Sequence, residues 1–92
     1  MSNLNLSKSE ITVLIDSLRA SKEWQSLDVQ RAERDVRDTR HMLEECEQLH
    51  DSEGFIKHWE VNLRQKLIHL AGTLQRQQYT EDLISKLTDA MD

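Results

Sequence analysis

Residues 29–50, VQRAERDVRDTRHMLEECEQLH, decide the fold. The stretch has neither glycine nor proline, and Val29, Ala32, Val36, Thr39, Leu43, Cys46 and His50 follow one another at alternating steps of three and four residues. That spacing keeps a seam on one side of a helix packed against another helix. Off the seam only Met42 and Leu49 are apolar. So narrow an apolar strip cannot hold a helix together alone in water, so the rest of the chain, or a second copy of it, must cover the seam.

Downstream, Asp51, Ser52, Glu53 and Gly54 form the one turn-like cluster. Gly54 can take the left-handed conformation of a helix C-cap, or Ser52 can cap the next helix; either choice reverses the chain. Residues 54–78 then read as a helix that presents Ile56, Trp59, Leu63, Leu67, Leu70, Ala71 and Leu74 as a broad stripe, the cover for the first seam in an antiparallel hairpin. A second line, Val61, Ile68 and Tyr79, lies about 120° or more from that stripe at 100° per residue. One partner helix cannot cover both, so the second line must meet the first helix, the last helix or another subunit, and Val61, Ile68 and Tyr79 are assigned to a homodimer interface. Thr80 followed by Glu81 and Asp82 is a helix start, with a hydroxyl cap and two acids in the first turn. It predicts a short last helix over 81–91 with Leu83, Ile84, Leu87 and Met91 on one face.

Upstream, Ser7 and Glu10 make a capping box, with Leu6 and Ile11 as its hydrophobic staple. A helix over 8–22 follows, with Ile11, Leu14, Ile15 and Leu18 on one face. Lys22 and Gln25 are polar at seam positions, and Ser26 with Asp28 resembles a fresh helix start, so a break near 24–26 is expected, with Trp24 and Leu27 packing at the joint. One continuous helix is the alternative. The expected fold is all-α, a single helical domain over 1–92: an antiparallel hairpin of long helices over 27–50 and 54–78, flanked by short helices over 8–22 and 81–91. It is a helical bundle or coiled-coil-like dimer.

The opening LSKSEITVLIDSLRASKE resembles the first helix of many short phage and prophage proteins of unassigned function, which share its Leu-Ser/Thr-x-x-Glu-Ile pattern and Leu-rich continuation. The resemblance spans residues 6–23 and carries over no functional residue. It implies an origin in a mobile element.

Composition narrows the function classes. At 92 residues the chain buries only about 60 to 65% of the surface its unfolded form exposes, which favours oligomerisation. Apolar residues make up 37% and charged residues 32%, with Trp24, Phe55, Trp59 and Tyr79 the only aromatics, a profile of helical bundles and coiled coils. The net charge of −5 disfavours non-specific nucleic-acid binding. Cys46 is the only cysteine, which fits a reducing compartment. No signal peptide is evident and no run nears the roughly 18 apolar residues of a membrane span, so the cytoplasm, a host's if the chain is phage-encoded, is the expected location without membrane association.

Chemistry leaves little trace. Cys46, His50 and His58 converge in a hairpin, yet they lack a fourth ligand and match no standard zinc spacing, so Cys46 reads as a small seam hydrophobe and no metal or other cofactor is expected. Nucleophilic catalysis at Cys46 needs an oriented base and an oxyanion hole, which two packed helices do not offer, so no enzyme is expected. Arg31, Arg34, Arg37 and Arg40 recur every third residue without a single lysine between Val29 and His50. Arginine is enriched and lysine depleted at interfaces, so these four are the candidate partner-binding residues. Asp35 and Asp38 lie four residues after Arg31 and Arg34 and are expected to pair with them. The expected role is non-enzymatic binding to another protein, as a phage-type inhibitor or adapter. Ranked below it are a small dimeric regulator that holds nucleic acid through the arginines and a structural or assembly component.

Overall fold

The computed structural model describes residues 6–50 and 52–91. They form two helices, α1 (Lys8–Gln48) and α2 (Glu53–Met91), and nothing else but the turn between them. The all-α hairpin of long helices is therefore as expected, but the short flanking helices are not separate elements. Each is the far end of an unbroken helix.

The reason lies in the seam. From Ile11 the inward positions of α1 run Ile15, Leu18, Lys22, Gln25, Val29, Ala32, Val36, Thr39, Leu43 and Cys46, every one buried or half-buried, at alternating steps of four and three. The repeat passes through Lys22 and Gln25 without slipping, and no proline or glycine interrupts it, so the expected break near 24–26 is absent. In α2 the inward positions after Ile56 are Trp59, Leu63, Lys66, Leu70, Thr73, Gln77, Thr80, Ile84, Leu87 and Met91, again without a skip. Thr80 does not cap a new helix. It is buried, and its Oγ1 donates to the Arg76 carbonyl one turn earlier at 3.1 Å, which satisfies the hydroxyl inside a continuing helix.

Four contacts across the hairpin set the antiparallel register. Thr12 Oγ1 lies 4.0 Å from Met91 Sδ, Lys22 Nζ 3.3 Å from Glu81 Oε1, Ser26 Oγ accepts from Gln77 Nε2 at 3.0 Å, and Asp35 Oδ2 lies 3.9 Å from Lys66 Nζ. Farthest from the turn, Ile11, Ile15 and Leu87 are buried together, with Leu6, Leu18, Ile84 and Met91 packed on them. The capping box is present in both directions: Glu10 N donates to Ser7 Oγ, and Ser7 N to Glu10 Oε1, each at 3.2 Å.

At the turn, Gly54 is not the cap. It sits in the first turn of α2, and no glycine among the described residues has positive φ. His50 takes the left-handed conformation instead, at φ 53°, and its amide donates to the Glu47 carbonyl at 3.2 Å. Histidine tolerates this region better than most residues with a Cβ. Ser52 starts α2, its carbonyl accepting from Phe55 N at 3.0 Å and its hydroxyl from the same amide at 3.4 Å. The result is a rod of 63 × 24 × 14 Å, as long as the roughly 60 Å that 41 helical residues span at 1.5 Å each.

Candidate functional site

Since the seam uses the inward side of α1, the position of every other residue follows from 100° per residue. Arg34 lies almost opposite the seam, Arg31 and Arg37 lie about 60° to either side of it, and Arg40 is turned to the flank beside α2. A three-residue step turns back about 60°, so the row from Arg31 to Arg40 winds halfway round the helix rather than forming a straight stripe. All four are exposed.

The expected intrahelical pairs do not form. Asp35 reaches across to Lys66, and among the described residues none of the four arginines has an ion pair or side-chain hydrogen bond. Asp35 stands on a flank of α1 next to α2, within reach of Lys66, while Asp38 shares the outer face with Arg34 and makes no ion pair among the described residues.

Trp24 and Leu27 are the residues the sequence reading missed. With no joint to fill, they lie on the outer face, 69% and 43% exposed. Trp24, Leu27, Arg31 and Arg34 follow one another at steps of three, four and three, so they form one outward line, apolar then basic. That second seam-like spacing, on the side away from the first seam, was the available signal.

On α2 the inward stripe also differs from expectation. Ile56, Trp59, Leu63 and Leu70 face α1, but Leu67, Ala71 and Leu74 are exposed, and Lys66, Thr73, Gln77 and Thr80 take the seam. The strict three-four repeat prevails over side-chain hydrophobicity because a straight helix cannot turn a neighbouring leucine inward without turning the whole seam outward. Val61, Ile68 and Tyr79, assigned to self-association, are all exposed, Ile68 by 67% and Tyr79 by 66%.

Cys46 is buried in the seam, while His50 lies in the turn and His58 is exposed. The His58 Nε2 is 3.2 Å from Asn62 Nδ2, and its ring meets Trp59 edge-on at 5.3 Å between centroids. Among the described residues no group of three or more His, Cys, Asp or Glu is placed to hold a metal ion. Nor is any helix long and apolar enough to cross a membrane.

The depressions in the described surface are open, and two of them lie along the groove between α1 and α2, around Lys22 and Glu81 and around Ile15 and Met91. The most apolar of them, lined by Leu6, Ser9, Glu10, Val13 and Leu14, offers a single carboxylate and no convergent polar groups. No family model, curated protein or solved structure matches the chain.

Proposed function

We propose that this protein is a non-enzymatic interaction module, an inhibitor or adapter of the phage type, that binds a partner protein through the outer face of α1 and a second copy of itself through the outer face of α2. The observation that carries this reading is the outward line of α1, where an exposed Trp24 and Leu27 stand beside Arg31 and Arg34, whose guanidinium groups have no ion pair among the described residues. Tryptophan and arginine dominate binding hot spots because each combines a broad contact surface with directional polar groups. Arg37 extends the basic part of the line, and Arg40 supports it from the flank.

Surface area supports the second half of the reading. The chain exposes 7253 Å², roughly 1,700 Å² more than the ~5,500 Å² usual for a folded monomer of 10.8 kDa. A standard interface removes about 800 Å² from each partner.

The test is a capture experiment from bacterial lysate with wild-type protein and an Arg34→Glu/Arg37→Glu variant. Wild type retains a specific protein, and the variant loses it while circular dichroism stays helical and the mass by light scattering stays that of a dimer. Retention by the variant removes the outer face of α1 from the reading. A salt-sensitive shift of random duplex DNA by wild type, lost in the variant, replaces the module by the nucleic-acid regulator.

A further inference from the structure

The outer side of α2 carries a second stripe with the same alternating steps as the seam: Glu60, Arg64, Leu67, Ala71, Leu74, Gln78 and Glu81. Its order reads nearly the same in both directions about Ala71, as acid, long polar chain, leucine, alanine, leucine, long polar chain, acid. We propose that this stripe is a self-complementary seam on which a second copy of the chain lies antiparallel, with the two-fold axis passing beside Ala71. The proposal rests on the self-association half of the function argued above and replaces its loose apolar face by a defined pairing.

A two-fold interface requires that each residue meet a compatible one when the strip is turned end for end. Here Leu67 meets Leu74 of the second copy, Ala71 meets its own equivalent, and Arg64 meets Gln78. No acid occurs between Val61 and Thr80, so no carboxylate is trapped beneath the leucines. At each end Glu60 approaches Glu81 of the other copy. Arg64, one turn from Glu60 and without an ion pair among the described residues, stands between the two acids and offsets their repulsion.

Geometry agrees with the chemistry. Leu67 is 41% and Leu74 46% exposed, and Ala71 is exposed between them, a small residue where two helices cross most closely. Ala71 lies at the middle of α2, whose ends are Glu53 and Met91, so turning one copy about it overlaps the two helices along their whole length. Val61 and Ile68 fall on the rim of the contact. The stripe is about a quarter-turn from the seam facing α1, which is how adjacent faces of a helix in a four-helix bundle are related.

Two measurements on the full chain test the pairing. Light scattering at micromolar concentration gives twice the monomer mass for wild type, and Leu74→Glu gives the monomer mass with helicity unchanged. In a Cys46→Ala background, Ala71→Cys forms a covalent dimer on mild oxidation with copper phenanthroline and air, whereas Gln65→Cys, exposed on a different side of α2, does not. A dimer in which Ala71→Cys fails to cross-link, or which survives Leu74→Glu, overturns this pairing and leaves self-association standing elsewhere. A monomeric wild type overturns both.

Discussion

Far from the turn, the seam between α1 and α2 is apolar, with Ile11, Ile15 and Leu87 buried against Leu18, Ile84 and Met91. A few turns nearer the middle, the same alternating positions hold Lys22, Gln25, Thr73, Gln77 and Thr80. Backbone geometry is shared and chemistry is not. The apolar end supplies stability, since each fully buried Ile or Leu contributes about 1.5–3 kcal/mol. In the polar section, Thr73 and Thr80 bond carbonyls of their own helix, at 2.8 and 3.1 Å, and so ask nothing of the other. Gln77 reaches Ser26 across the hairpin, and Lys22 reaches Glu81. Such cross-helix polar contacts form in one register only, whereas leucines slide past one another at small cost. One region holds the helices together and the other tells them where to stop.

The largest expected effect comes from breaking the apolar end. Leu87→Ala removes a buried side chain from that cluster and costs about 2–4 kcal/mol by urea denaturation, enough to lower the melting temperature of so small a chain by ~10 °C or more. A loss under about 1 kcal/mol means that the apolar end is not the main store of stability.

An opposite sign is expected in the polar section. Gln25 Oε1 is buried with no hydrogen-bond partner among the described residues, a state that costs about 1–3 kcal/mol. Gln25→Leu therefore raises stability by about 1 kcal/mol in the same assay, and destabilisation instead shows that the amide is satisfied in solution.

Smallest is the coupling between Lys22 and Glu81. Their side chains are each 41% exposed, so a double-mutant cycle to alanine gives about 0.2–1 kcal/mol, reduced by salt. A coupling well above that range assigns the polar section a share of stability as well as register.

The capping box at Ser7 and Glu10, the helical class and the reversal after residue 50 were legible in the sequence because each rests on local chemistry. The seam over 29–46 was legible because its positions are apolar or small. What misled was polarity at seam positions. Lys22 and Gln25 suggested a break, and Thr80 with Glu81 and Asp82 suggested a helix start, because a single sequence does not show that Glu81 and Ser26 stand ready across the hairpin to receive Lys22 and Gln77. Leu67 and Leu74 were drawn inward by the same logic reversed. At the candidate site, the exposure of the four arginines was foreseen. Their missing partners were not, since Asp35 is four residues from Arg31 in sequence but turned toward Lys66 in space.

The rod shape governs how the molecule moves in solution. Its radius of gyration is 19.9 Å, against about 12 Å for a compact chain of 92 residues, so friction with water is high for its mass, and on a sizing column it elutes ahead of a globular protein of equal weight. Backbone N–H bonds in both helices lie nearly along the 63 Å axis, so spinning about that axis scarcely reorients them. Nitrogen relaxation along both helices therefore reports end-over-end tumbling almost alone. Two copies laid side by side about Ala71 double the mass while leaving the length nearly unchanged. Their end-over-end tumbling time then rises by much less than twofold, and a comparison of mass with tumbling separates side-by-side association from end-to-end association without a crystal.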